Sequence, residues 1–172
     1  VDDHAGARDL TAHLVSLGHR RIGFIGAGAE PDREHAWALR LAGYQAGLHD
    51  AGIVFDDALV IPSALEEQTY TMRNGYESMR AWLPSAPEDV TALIGVSDWT
   101  AIGASRALNE AGQSVPRDIS IVGFDGLDVA NYVVPPLTTI VQPVAEIAQS
   151  TARVLLATMA DPGRAIEQVW IR

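Results

Sequence analysis

VPRDISIVGFDGLDVANYVVPPLTT, residues 115–139, is the stretch that decides the fold. Ile119 to Val122 is a short apolar strand that runs into Gly-Phe-Asp-Gly. Asp125 is thereby placed at a strand's C-terminal end, where ligands bind in open α/β sheets. Pro135-Pro136 and Thr138-Thr139 follow; there the chain must stay extended and cannot enter a helix.

Working outward, helix and strand patterns alternate. Asp9 to Leu17 reads as helix, stopped by Gly18. Arg21 to Ile25 is a short apolar strand, followed by a loop rich in Gly, Ala and Pro through Asp32. Ala36 to Ala51 reads as helix, with Leu39, Gly43, Ala46 and Gly47 on one face. Ala58 to Ile61 is predicted as strand, Thr71 to Leu83 as helix stopped by Pro84, and Ser85 to Val90 as polar loop. Ala92 to Val96 is predicted as strand, Trp99 to Ala111 as helix stopped by Gly112, and Ile119 to Gly123 as strand. Such a series argues for α/β architecture: a three-layer α/β/α sandwich with a mainly parallel, Rossmann-like sheet. After Pro143, the residues Val144, Ile147, Ala148, Thr151, Leu155 and Met159 form one apolar helical stripe. Asp161-Pro162-Gly163 ends that helix, and Glu167 to Ile171 is a candidate strand.

The 172 residues suffice for one compact domain plus an appendage. A net charge of −10 leaves no basic stripe of the kind a DNA-binding module needs. The absence of cysteine removes disulfides, thiol catalysis and Cys-zinc sites, and fits a cytoplasmic protein. No apolar run reaches the roughly 18 residues of a membrane span. Catalytic signatures fail too. Gly26-Ala27-Gly28 follows a strand, but the third glycine of a dinucleotide loop would fall at Pro31. Gly95 to Trp99 lacks the second glycine of a nucleophile elbow. The five histidines form no metal-binding pair. No cofactor, metal or catalytic residue is implied.

Five motifs stand in order along almost the whole chain: VDDHAGA at its start, HLVSLGHRRIGFI (His13 to Ile25), RLAGY (Arg40 to Tyr44), SDWTAIGA (Ser97 to Ala104), and VPRDISIVGFDG with its PPLTT sequel. Together they resemble the LacI/GalR-type family of bacterial transcription regulators. The resemblance implies that residues 1–140 are the C-terminal lobe of a periplasmic-binding-protein-type effector domain. It implies that residues 141–172 cross back toward an N-terminal lobe, and that the DNA-binding helix-turn-helix lies outside this chain. The expected function is sensing a small molecule between two lobes to control operator binding, without catalysis or membrane attachment. Gly126 stands where the regulators more usually carry Asp or Asn. GFDG is similar to pentose- and hexose-binding relatives, which favours a sugar. The alternative is a periplasmic sugar-binding protein of a transport system.

Taken as residues, the candidates each have two readings. Asp125 is a turn aspartate holding local N–H groups, or a carboxylate for ligand hydroxyls. Arg40 is a solvated helix arginine, or a fork for adjacent hydroxyls or a carboxylate. Tyr70 is a half-buried helix-entry tyrosine, or a flat surface for a sugar face. Ser97 and Asp98 cap the helix that follows, or touch ligand. Gln142 is an exposed loop amide, or a hinge or pocket residue. The resemblance implies the effector-binding role for Arg40, Tyr70, Ser97, Asp98, Asp125 and Gln142, although Ser97 replaces the family's usual Asn. It also implies a homodimer, with Ile102, Arg106, Tyr132 and Val133 as interface candidates.

Overall fold

The structure is a computed structural model that describes residues 2–28, 35–65, 69–165, 169 and 171. It divides into a large unit, Asp3–Val141, and a small one made of Asp2 and the stretch from Gln142 onward.

In the large unit five strands form one sheet: β1 (Ile22–Ala27), β2 (Val60–Pro62), β3 (Ala92–Gly95), β4 (Ser120–Asp125) and β5 (Thr138–Val141). Their order is β2-β1-β3-β4-β5, and every neighbouring pair is parallel. Four helices flank it: α1 (Asp3–Ser16), α2 (Ala36–Asp50), α3 (Met72–Trp82) and α4 (Asp98–Glu110). Strand side chains alternate faces, and each face meets one pair of helices. Ile22, Phe24, Ile94 and Val122 pack with Leu10 and Leu14 of α1 and with Trp37, Tyr44 and Leu48 of α2. Ile25, Leu93 and Ile121 pack with Met79 of α3 and with Ala101, Ala104 and Leu108 of α4. The large unit therefore has the expected three layers. β3 is buried along its whole length, as the central strand of a covered parallel sheet must be.

Each helix pair closes through a bare backbone. A Cβ on Gly43 of α2 would run into the His4 carbonyl of α1, and one on Gly103 of α4 into the Met72 carbonyl of α3. The buried face of α2 is Trp37, Arg40, Gly43, Tyr44, Gly47 and Leu48. Leu39 and Ala46, expected on that face, are only half-buried.

Other departures have local causes. α1 begins at Asp3, ahead of the expected Asp9, because its first turn is seated by packing: a Cβ at Gly6 would lie 2.9 Å from the Phe124 ring. Ala58 and Leu59, expected in a strand, belong to the 3-10 turn Asp57–Leu59, in which the Asp56 carboxylate accepts from the Ala58 N–H, and β2 follows it. Leu83–Ser85, at the predicted helix end, is likewise a 3-10 turn carrying Pro84. The Thr-Thr segment, read only as extended, is the edge strand β5.

The small unit holds α5 (Val144–Ala160), none of whose residues is buried. The Asp2 N–H donates to the Ile171 carbonyl at 3.2 Å. Ile147, Val154 and Leu155 of α5 line a groove of about 430 Å³ with Val169 and Ile171. The strand expected over Glu167–Ile171 lies largely outside the described residues. Among the described residues no helix is long and apolar enough to cross a membrane.

Candidate functional site

The strand order reverses between β1 and β3: β2 lies to one side of β1, and β3, β4 and β5 to the other. The carboxyl ends of strands at such a switch point form a crevice. Four segments meet there: Gly26 at the tip of β1, Val96–Asp98 after β3, Asp125–Leu127 after β4, and the first turn of α1.

Arg40 is at their centre. α2 points it toward the sheet, and its side chain is 5% exposed. A buried guanidinium needs partners for its charge and its five N–H donors. Nε donates to Asp3 Oδ1 at 2.7 Å, and Nη1 to the Val96 carbonyl at 2.5 Å. Nη2 lies 3.2 Å from Asp125 Oδ1. The guanidinium carbon sits 3.8 Å from the centre of the Phe124 ring, a cation–π contact. Arg40 is thus a hub, and the solvated reading of it is excluded. Of its partners only Asp125 was a candidate from sequence. Asp3, 37 residues away in sequence, has no periodicity that points to Arg40.

Asp125 ends β4 with φ of 125°, in the region that disfavours any side chain, and Gly126 follows at 71°. Such strain concentrates at binding sites, where surrounding structure holds it.

Tyr70 is 39% exposed. Its hydroxyl accepts from the Trp37 N–H at 3.1 Å, near the start of α2. His35, the N-cap residue, supplies no side-chain cap, so Tyr70 meets one of that helix's unpaired donors. Burial pushes the Tyr70 phenol up; the Trp37 N–H and the nearby Arg40 charge oppose this.

Ser97 and Asp98 are fully buried. Ser97 caps α4: its Oγ accepts from the Thr100 N–H at 3.2 Å and lies 2.9 Å from the Thr100 hydroxyl. Asp98 accepts from the Leu127 N–H at 2.7 Å and the Thr139 hydroxyl at 2.5 Å, and the Thr139 oxygen in turn accepts from the Gly126 N–H at 3.3 Å. Burial raises the Asp98 carboxyl, against the lowering effect of these donors and of Arg40. Trp99, next on α4, is 36% exposed. Gln142 belongs to the small unit, where its carbonyl accepts from the Val144 N–H at 2.8 Å.

The interface candidates lie on another surface of the large unit. Ile102, Arg106 and Val133 line a groove of about 480 Å³ with Pro135, Pro136 and Leu137. Tyr132, just before Val133, is 76% exposed. Arg106 is tied to Glu110 at 2.9 Å, and the Tyr76 hydroxyl donates to the same carboxylate at 2.6 Å. Among the described residues no group of three His, Cys, Asp or Glu side chains is placed to hold a metal.

A sequence profile described as a periplasmic binding protein-like domain matches residues 11–172. The HTH-type transcriptional regulator CelR of Thermobifida fusca is 36% identical over 156 residues, covering 91% of this chain and 43% of CelR. The chain therefore spans under half the length of that relative. Among solved structures, a CelR–cellobiose complex superposes with a TM-score of 0.84 at 34% identity, covering 95% of this chain and 47% of that one. A LacI family transcriptional regulator from Enterococcus faecium with bound ribose gives 0.80 at 32% identity, covering 96% and 58%.

Proposed function

Because the chain belongs to the periplasmic binding protein-like domain family, in the form carried by LacI-type regulators, we propose that it is the C-terminal part of a regulator's effector-sensing domain. The whole protein binds a sugar between two lobes, and this controls its grip on operator DNA. The observation that carries the reading is the Arg40 hub at the switch point, with Asp3 and Asp125 as its carboxylate partners. Sugar hydroxyls donate well to carboxylates, and charge-assisted hydrogen bonds are the strong ones. Asp125 and Arg40 form the polar floor, and Tyr70 offers an aromatic face beside it. Ser97 and Asp98 act from beneath, by fixing the turns that carry the floor. Cellobiose and ribose, bound by the two structural relatives, are the first effectors to try.

In such a protein the effector favours one relative arrangement of the lobes. Coupling to DNA affinity is typically about 1–3 kcal/mol. No bond is made or broken, and no cofactor is needed. With a net charge of −10, this chain leaves phosphate contact to another segment. Residues 1–140 are the C-terminal lobe, and residues 141–172 pack with the N-terminal one. The groove at Ile102, Arg106 and Val133, with Tyr132, is the homodimer contact. The regulator acts in the cytoplasm.

The test is a thermal-shift screen of sugars on the full-length protein, followed by operator binding with and without each hit. A sugar that raises the melting temperature and changes operator affinity is the expected result. Sugar binding with no effect on DNA would favour a carrier instead.

A further inference from the structure

We infer that Asp98 is a positioning residue that holds Asp125 in its strained conformation and so aims its carboxylate at Arg40. Its functional meaning rests on the proposed effector role of Asp125; the geometry does not.

Asp98 is the first residue of α4 and has no solvent exposure. Among the described residues it is one of few fully buried ionisable groups, and its hydrogen-bond partners lie just beyond or beside Asp125. One carboxylate oxygen takes the Leu127 N–H at 2.7 Å. The other takes the Thr139 hydroxyl at 2.5 Å, and the oxygen of that hydroxyl takes the Gly126 N–H at 3.3 Å. The two amides that follow Asp125 are thereby fixed, Leu127 by Asp98 directly and Gly126 through the Thr139 hydroxyl that Asp98 orients. Fixing them fixes the peptide plane after Asp125, and that plane is what a residue at φ of 125° would otherwise rotate to escape.

The route Asp98 takes is prepared by the strand. Gly123 is the register partner of Thr139. A Cβ on Gly123 would collide with the Asp98 carboxylate. The missing side chain thus opens a path from α4 across β4 to β5. Gly126 is built similarly: a Cβ there would lie 2.6 Å from the Val141 backbone, so the turn lies flat on β5. Two donors converge on this carboxylate, one on each oxygen. In Asp98→Asn the side-chain NH₂ replaces one acceptor: set toward the Leu127 N–H it leaves that donor unpaired, and set toward Thr139 it takes away the acceptor of the Thr139 hydroxyl.

The decisive experiment is the crystal structure of full-length Asp98→Asn without effector. The Asp125 φ should turn negative, and the Arg40–Asp125 pair should open beyond hydrogen-bond reach. A φ near 125° with the pair still at 3.2 Å would overturn the inference. If Asp98→Asn does not fold, Thr139 decides. Thr139→Ser keeps the hydroxyl and should keep the slow hydrogen exchange of the Gly126 and Leu127 amides. Thr139→Val should speed that exchange about tenfold, the equivalent of one hydrogen bond. Equal protection in the Ser and Val variants would also overturn it. A thermal cycle of Asp98→Asn with Asp125→Asn adds a readout that general structural damage would not give. The two losses should be clearly sub-additive, since one residue acts through the other; full additivity would contradict the mechanism. No effector enters these measurements, so failure of the sugar reading leaves their outcome distinct.

Discussion

Replacing Arg40 by Ala should cost fold stability as well as effector binding. In the native protein the guanidinium is 5% exposed and paired with Asp3 at 2.7 Å and Asp125 at 3.2 Å. It also donates to the Val96 carbonyl and covers the Phe124 ring. Truncation leaves two carboxylates facing each other without their cation, a carbonyl without its donor, and a void over an aromatic ring. Removing one partner of a buried pair costs about 3–5 kcal/mol. The Asp3 and Asp125 side chains keep 13% and 21% exposure, so some water reaches them. We therefore take the lower end, about 3 kcal/mol. In a protein of this size that lowers the melting temperature by roughly 6–12 °C. Arg40→Lys retains the charge but not the planar fork, and should recover part of the loss. Differential scanning calorimetry on parent, Ala and Lys variants is the assay. A loss below about 0.5 kcal/mol for the Ala variant, the usual figure for a surface substitution, would refute the hub.

Asp125→Asn should weaken binding of any sugar found by screening roughly ten- to a hundredfold, the worth of a hydrogen bond to a charged group, as read by calorimetric titration; an unchanged dissociation constant would remove Asp125 from the site. The Asp56 carboxyl is held below its ordinary value by the Ala58 N–H and by Arg21. Its stabilising effect should therefore be full above 3.8, the unfolded value, and be lost as pH falls through the lowered folded one. Melting curves of parent and Asp56→Ala should accordingly converge on acidification; a constant gap would contradict this. Charges at Ile102 and Val133 together should raise the dimer dissociation constant of the full-length protein, and an unaltered dimer in sedimentation would count against that groove.

The sheet and its flanking helices were legible because their signals are local. Gly18 and Gly112 stop helices at positive φ, 97° and 84°, and the apolar runs of β1, β3 and β4 stand where they were predicted. Legibility fell where tertiary contact decides. Nothing near Thr138 distinguishes an edge strand from an extended loop, since only one neighbour, β4, makes it a strand. The site was half legible. Arg40 and Asp125 were singled out separately, yet their pairing required the fold. Asp3 was visible only as part of a motif, because its partner lies across the sequence on another helix. Tyr70 was read as a surface for a ligand, but its hydroxyl also serves the start of α2, a contact spanning 33 positions.

Asp3 is the first residue of the large unit and Val141 its last. Asp3 is bonded to Arg40, and Val141 is the register partner of Asp125, which is paired with the same guanidinium. Both ends of the unit's polypeptide are therefore moored to one cation. Loss of the Arg40 contacts would loosen the start of the unit at Asp3 and its end beside Asp125 together.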